Sequence, residues 1–232
     1  MKQTFFSYKA ADRINHYGNF LLVLLILFCA SGTFAQTSPH EEQRNTTQQN
    51  TTNQSSMSQT SREEQAIVFY NKGVDCSDGD HECQITNYTK SIELNPNYKL
   101  AFYNRGNIYD EQGKYDLAIA DYNKAIELDP RYVSAYVNRG ISYGKKGKLD
   151  TAIESFTEAI EIDGKMPEAY HNRGYAYQLK GNHNQAIKDF TKAISLNSEY
   201  SKAYFGRAKS YYQIGEYEKA ATDLKRYKEL TK

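Results

Sequence analysis

The chain has 232 residues, with 29 Lys+Arg against 28 Asp+Glu for a net charge of +1, and 21 Tyr but no Trp. So even a balance gives no electrostatic case for nucleic acid, which needs clustered Lys and Arg. Three Cys are too few for a disulfide framework, and only four Pro favour helices.

The first 35 residues read as an export address. Lys2, Lys9 and Arg13 precede an unbroken apolar run, Phe20 to Cys29, and small residues then lead to Thr33-Phe34-Ala35. A positive start, a short apolar middle and a small-residue exit predict a secretory signal peptide over 1–35, cut after Ala35. An uncleaved anchor is the competing reading, but crossing a bilayer takes roughly 20 apolar residues, about twice this run. Lipid attachment at Cys29 is a third reading, disfavoured by the bulky Phe28 before it. The ending in Ala-Gln resembles Gram-negative export signals, which implies the periplasm or cell envelope, or secretion, with no membrane span after cleavage.

Residues 36–62 are almost wholly Gln, Thr, Asn and Ser, with Met57 the one large apolar residue. Such a segment cannot bury enough apolar surface to offset its ordering entropy, so a disordered linker is predicted. Asn45, Asn50, Asn53 and Asn87 lie in N-x-S/T triplets. In sequence this rich in Asn and Thr, such triplets arise by chance, and they matter as glycan acceptors only in a eukaryotic secretory pathway.

From residue 63 the chain repeats itself. Gly106, Gly140 and Gly174 are 34 residues apart, with Ala208 at the next step. The same step relates Gly113, Gly147, Gly181 and Gly215; Tyr109, Tyr143, Tyr177 and Tyr211; Ala118, Ala152, Ala186 and Ala220; and Ala125, Ala159 and Ala193. A fixed period of this length marks a solenoid or array. Within a unit, Phe102, Gly106 and Tyr109 fall at i, i+4 and i+7, as do Ala118, Tyr122 and Ala125, so two helices are predicted. Gly113 supplies a tight turn between them, and Pro96 and Pro130 are expected to end the second helix.

These columns resemble the tetratricopeptide repeat family, most fully over residues 101–130, AFYNRGNIYDEQGKYDLAIADYNKAIELDP. The resemblance implies an all-α, right-handed superhelical solenoid of about five helix-turn-helix repeats: a degenerate first repeat at 63–98, then 99–132, 133–166, 167–200 and 201–232. The polar second helix of the last copy, with Tyr227 in the small-residue column, is read as a water-facing cap, which argues against stacking at that end. Gly164 and Ser198 replace the unit-ending Pro, and Pro167 follows three residues after Gly164.

In this family the first helix of each unit lines a concave groove that holds an extended peptide or a helix. The alignment places three columns there: Tyr103, Val137, His171 and Phe205; Asn104, Asn138 and Asn172, ending in Gly206; and Asn107, Ile141, Tyr175 and Lys209. The expectation is a groove of aromatic and aliphatic contact with an Asn ladder that bonds a peptide backbone. The competing reading is that some of these side chains pack between neighbouring helices. Asn107 and Asn138 would fit the carboxylate clamp of some members. Tyr103, Glu168 and Asn172 stand at its basic places, so no clamp is expected. The fold also brings Cys76 and Cys83 to facing places, and in an oxidising compartment a disulfide is expected.

Arg105, Arg139, Arg173 and Arg207 recur in one column, and Asp121, Asp189 and Asp223 in another. They are expected to pair structurally as exposed ion pairs, roughly 0–1 kcal/mol each. No G-x-S-x-G elbow, phosphate loop or H-E-x-x-H is present, His81 with the two Cys matches no zinc spacing, and the five His are scattered. No catalysis, cofactor or metal is expected. The function indicated is a protein or peptide adaptor, the alternatives being an accessory subunit of an envelope enzyme or secretion machine, or a self-associating structural protein.

Overall fold

The computed structural model describes residues 59–232, so the predicted signal peptide and most of the linker lie outside the described residues. Residues 66–232 belong to one compact unit, and residues 59–65 fall outside it. The described residues are helical without a strand: α1 at 59–75, α2 His81–Leu94, α3 Lys99–Glu111, α4 Tyr115–Leu128, α5 Val133–Lys145, α6 Leu149–Ile162, α7 Pro167–Leu179, α8 His183–Leu196, α9 Ser201–Gln213 and α10 Tyr217–Leu230. Helices pair in sequence order as hairpins, giving a helix-turn-helix repeat solenoid over residues 66–232. Residues 59–62, assigned to the linker from sequence, are already helical. There Gln59 donates to Glu63 one turn on, at 3.4 Å, the i,i+4 spacing that supports a helix end.

Each hairpin closes at a glycine. Gly113, Gly147, Gly181 and Gly215 have φ between +74° and +82°, a region costly for residues with a Cβ. The other columns interlock inside each hairpin. A Cβ on Gly140 would lie 2.6 Å from the Phe156 ring, and one on Gly106 2.9 Å from Tyr122. The small column thus admits the aromatic one, and Tyr122, Phe156 and Phe190 are wholly buried. Between hairpins a further column does this work: Ala101, Ala135, Ala169 and Ala203 are all wholly buried.

The helix ends differ from expectation in their cause. Asn95, Asp129, Asp163 and Asn197 follow the last residues of α2, α4, α6 and α8, and each side chain accepts from the backbone N–H two residues on, at 2.9–3.0 Å. This Asx turn, not proline, redirects the chain. Gly164 and Ser198 therefore replace Pro130 without harm, and Pro167 sits in the first turn of α7, where its missing N–H costs nothing.

Candidate partner-binding site

The arginine column is a staple rather than a set of surface pairs. Arg105 donates Nε and Nη2 to both oxygens of Asp121 at 2.8 Å, and Arg173 and Arg207 grip Asp189 and Asp223 in the same fork at 2.7–2.9 Å. The third nitrogen reaches back to the preceding repeat: Arg105 to Thr89, Arg173 to Thr157 and Arg207 to Thr191, at 3.0–3.1 Å. The three Asp are 5–7% exposed, which corrects the expectation of exposed pairs. Alignment shows that the columns recur but not that the forks are buried, each tied to the preceding repeat through its Thr. The third repeat departs from the pattern. Ser155 stands in the Asp column, so Arg139 bonds Ser155 at 3.2 Å and Asn123 at 3.1 Å and turns to Glu158.

In the first repeat Lys72 and Asn87 occupy the Arg and Asp places. A disulfide between Cys76 and Cys83 joins α1 to α2 there instead, with Cα atoms 6.1 Å apart. Asn87 donates to the Cys83 carbonyl at 2.9 Å and lies 3.6–3.7 Å from both sulfurs.

The predicted groove residues divide by burial. Tyr103, Val137, Asn138, Ile141, His171 and Asn172 are at most 2% exposed, so these six lie inside the array. The cause is the residue just before the next repeat. Tyr132 folds over Tyr103 with ring centroids 4.9 Å apart, Tyr200 over His171 at 5.3 Å, and Met166 packs into the cluster that holds Val137. The Asn ladder is likewise spent internally. Asn104 donates to the Tyr70 hydroxyl at 3.0 Å, and Asn138 to the Tyr103 hydroxyl at 3.0 Å and to Asn107 Oδ1 at 2.8 Å. Asn107 Oδ1 also accepts from Tyr122 at 2.9 Å. Burial lowers the His171 imidazole to about 4, with the Asn172 bond opposing and the Lys202 charge assisting. Tyr175 is 8% exposed, and burial raises its hydroxyl.

What remains partly open lies on α3 and, more fully, on α9. Asn104, Asn107 and Phe205 are half-buried and Lys209 is exposed. Phe205 rests on Tyr227 with centroids 5.0 Å apart, and the Lys209 ammonium lies 6.0 Å from the Phe205 ring. Lys202, half-buried, and Tyr212, 63% exposed, extend this stripe along α9 at i, i+3, i+7 and i+10. Sequence reasoning missed both. Helical spacing from Phe205 and Lys209 points to them. Among the described residues no cluster of His, Cys, Asp or Glu is placed to hold a metal, and no helix is long and apolar enough to cross a membrane.

An array of helical hairpins with a side-chain stripe along the first helix of a repeat defines a class of interaction module. Family models described as tetratricopeptide or TPR repeat match residues 87–120, 106–147, 143–181, 167–200 and 202–230. The chain belongs to the tetratricopeptide repeat family. Among solved structures it is similar to MamA at 25% identity, covering 72% of this chain and 92% of that one, with a TM-score of 0.66. PilF of Pseudomonas aeruginosa aligns at 21% identity over 73% of this chain and 78% of its own, with a TM-score of 0.65. YrrB, described as a TPR protein with an unusual peptide-binding site, aligns at 21% identity over 71% and 86%, with a TM-score of 0.60. A comparison with curated proteins gave no match. Family and fold support a protein–protein interaction module.

Proposed function

We propose that this protein is a non-catalytic adaptor that holds a peptide or helix of a partner protein against the first-helix face of its last repeat, in the cell envelope. The stripe Lys202, Phe205, Lys209 and Tyr212 carries this reading, because it joins aromatic area to accessible charge where the corresponding faces of α3, α5 and α7 are largely closed. Aromatic side chains supply contact area at low entropic cost, and flanking cations orient a partner. The solved YrrB structure is a precedent for a peptide site on this fold. The envelope assignment rests on the export-type N-terminus.

The test is a pull-down from the native envelope fraction. The full chain is compared with a variant carrying Lys202→Glu and Phe205→Ala, with helicity checked by circular dichroism. A partner kept by the parent and lost by the folded variant supports the adaptor reading. Equal capture by both places binding away from α9. Tyr103 and His171 are unsuited to this test, since removing either opens the core.

A further inference from the structure

The near-neutral total hides an asymmetry along the array. Residues 66–98 carry five carboxylates (Asp75, Asp78, Asp80, Glu82 and Glu93) against Lys72 and Lys90, a net −3. Residues 201–232 carry eight Lys and Arg against four Asp and Glu, a net +4. Four of these five acids gather at the α1–α2 turn, where Asp75, Asp78, Asp80 and Glu82 are all exposed. Apolar surface accompanies the charge at both places. Ile67 and Val74, seven apart on one side of α1, are 37% and 43% exposed. At the α9–α10 turn Tyr212, Ile214 and Tyr217 are 63%, 41% and 61% exposed, the two Tyr rings meeting edge-on at 5.3 Å. Lys219 borders them, pairing with Glu216 at 3.1 Å on the surface.

We propose that the acidic α1–α2 turn of one copy of this chain docks, head to tail, on the basic aromatic α9–α10 turn of a second copy. Val74 and Ile67 then cover the Tyr212–Tyr217 pair, and the carboxylates face Lys219 and the cations of α10. Apolar contact supplies area, and the opposite charges set orientation and encounter rate. The contact is not a further copy of the internal junction. In that register Lys72 would stand at the Arg column and Lys225 at the Thr column, setting two cations together. Because the two surfaces differ, one contact leaves a surface of each kind unused, so association continues until a ring closes or a filament forms. The contact shares Tyr212 with the α9 stripe but uses neither Lys202 nor Phe205, so the Lys202→Glu, Phe205→Ala variant should lose the adaptor partner and keep self-association, which tells the two readings apart.

Sedimentation velocity of the full chain over a range of concentrations tests it. The expected result is a mass that grows beyond the dimer with concentration and falls back in high salt. The head variant carries Asp78→Lys and Glu82→Lys, and the tail variant Tyr217→Ser and Lys219→Ser. All four sites are exposed, and circular dichroism confirms folding. Each variant alone associates roughly tenfold or more weakly. An equimolar mixture regains one junction and stops at a 1:1 complex. A parent that stays monomeric throughout, variants that associate like the parent, or a mixture that recovers nothing each overturn the proposal.

Discussion

His171 shows what the covered face means for a single residue. Its ring lies between Phe190 and Tyr200, beside Asn172, and burial holds its pKa at about 4 against an ordinary 6.5. The unfolded chain therefore takes up a proton near pH 6.5, and the folded chain only near pH 4. Stability is full above pH 6.5, falls by about 1.4 kcal/mol per unit as pH drops, and levels off below pH 4, a total near 3 kcal/mol. Urea midpoints measured across this range should show the loss, and His171→Phe should remove that component. Phe205, one repeat on, shows that the column accepts a phenyl ring.

At the scale of the helix pair, the staple decides. Asp189→Ala leaves Arg173 facing a covered gap, and a loss of about 3 kcal/mol is expected, where an exposed pair would cost at most 1. The third repeat provides the converse. Ser155→Asp rebuilds the fork beneath Arg139 and should add about 1 kcal/mol. Unfolding of the two variants side by side checks both signs. The helices and their hairpin turns were legible because Gly113 and its equivalents recur at one period. The Asx turns at Asn95, Asp129, Asp163 and Asn197 were equally regular, yet Pro96 and Pro130 drew attention from them. The groove was legible only as a set of positions. Whether Asn138 faces a ligand or a Tyr hydroxyl depends on Tyr103 and Asn107 of the preceding repeat, and helical spacing alone does not carry that information.

Across the whole array, stability is the sum of hairpins and their junctions. The first hairpin lacks the staple and has the Cys76–Cys83 bond in its place. Replacing both Cys with Ser should cost about 2.5 kcal/mol on the chain-entropy account. The effect should be local, so that hydrogen exchange quickens in α1 and α2 well before α5 to α8.

The junction bonds also run mostly one way. Asn104 and Asn138 donate to a Tyr of the repeat before them, Arg105, Arg173 and Arg207 to its Thr, and Ser142 to Asp110; Gln178, which donates forward to Ser210, is an exception. Each repeat thus finds its acceptors on chain that was synthesised earlier. In a chain that emerges N-terminus first, each new hairpin therefore meets acceptors that have already emerged. The direction of these bonds favours assembly from the first repeat toward the last.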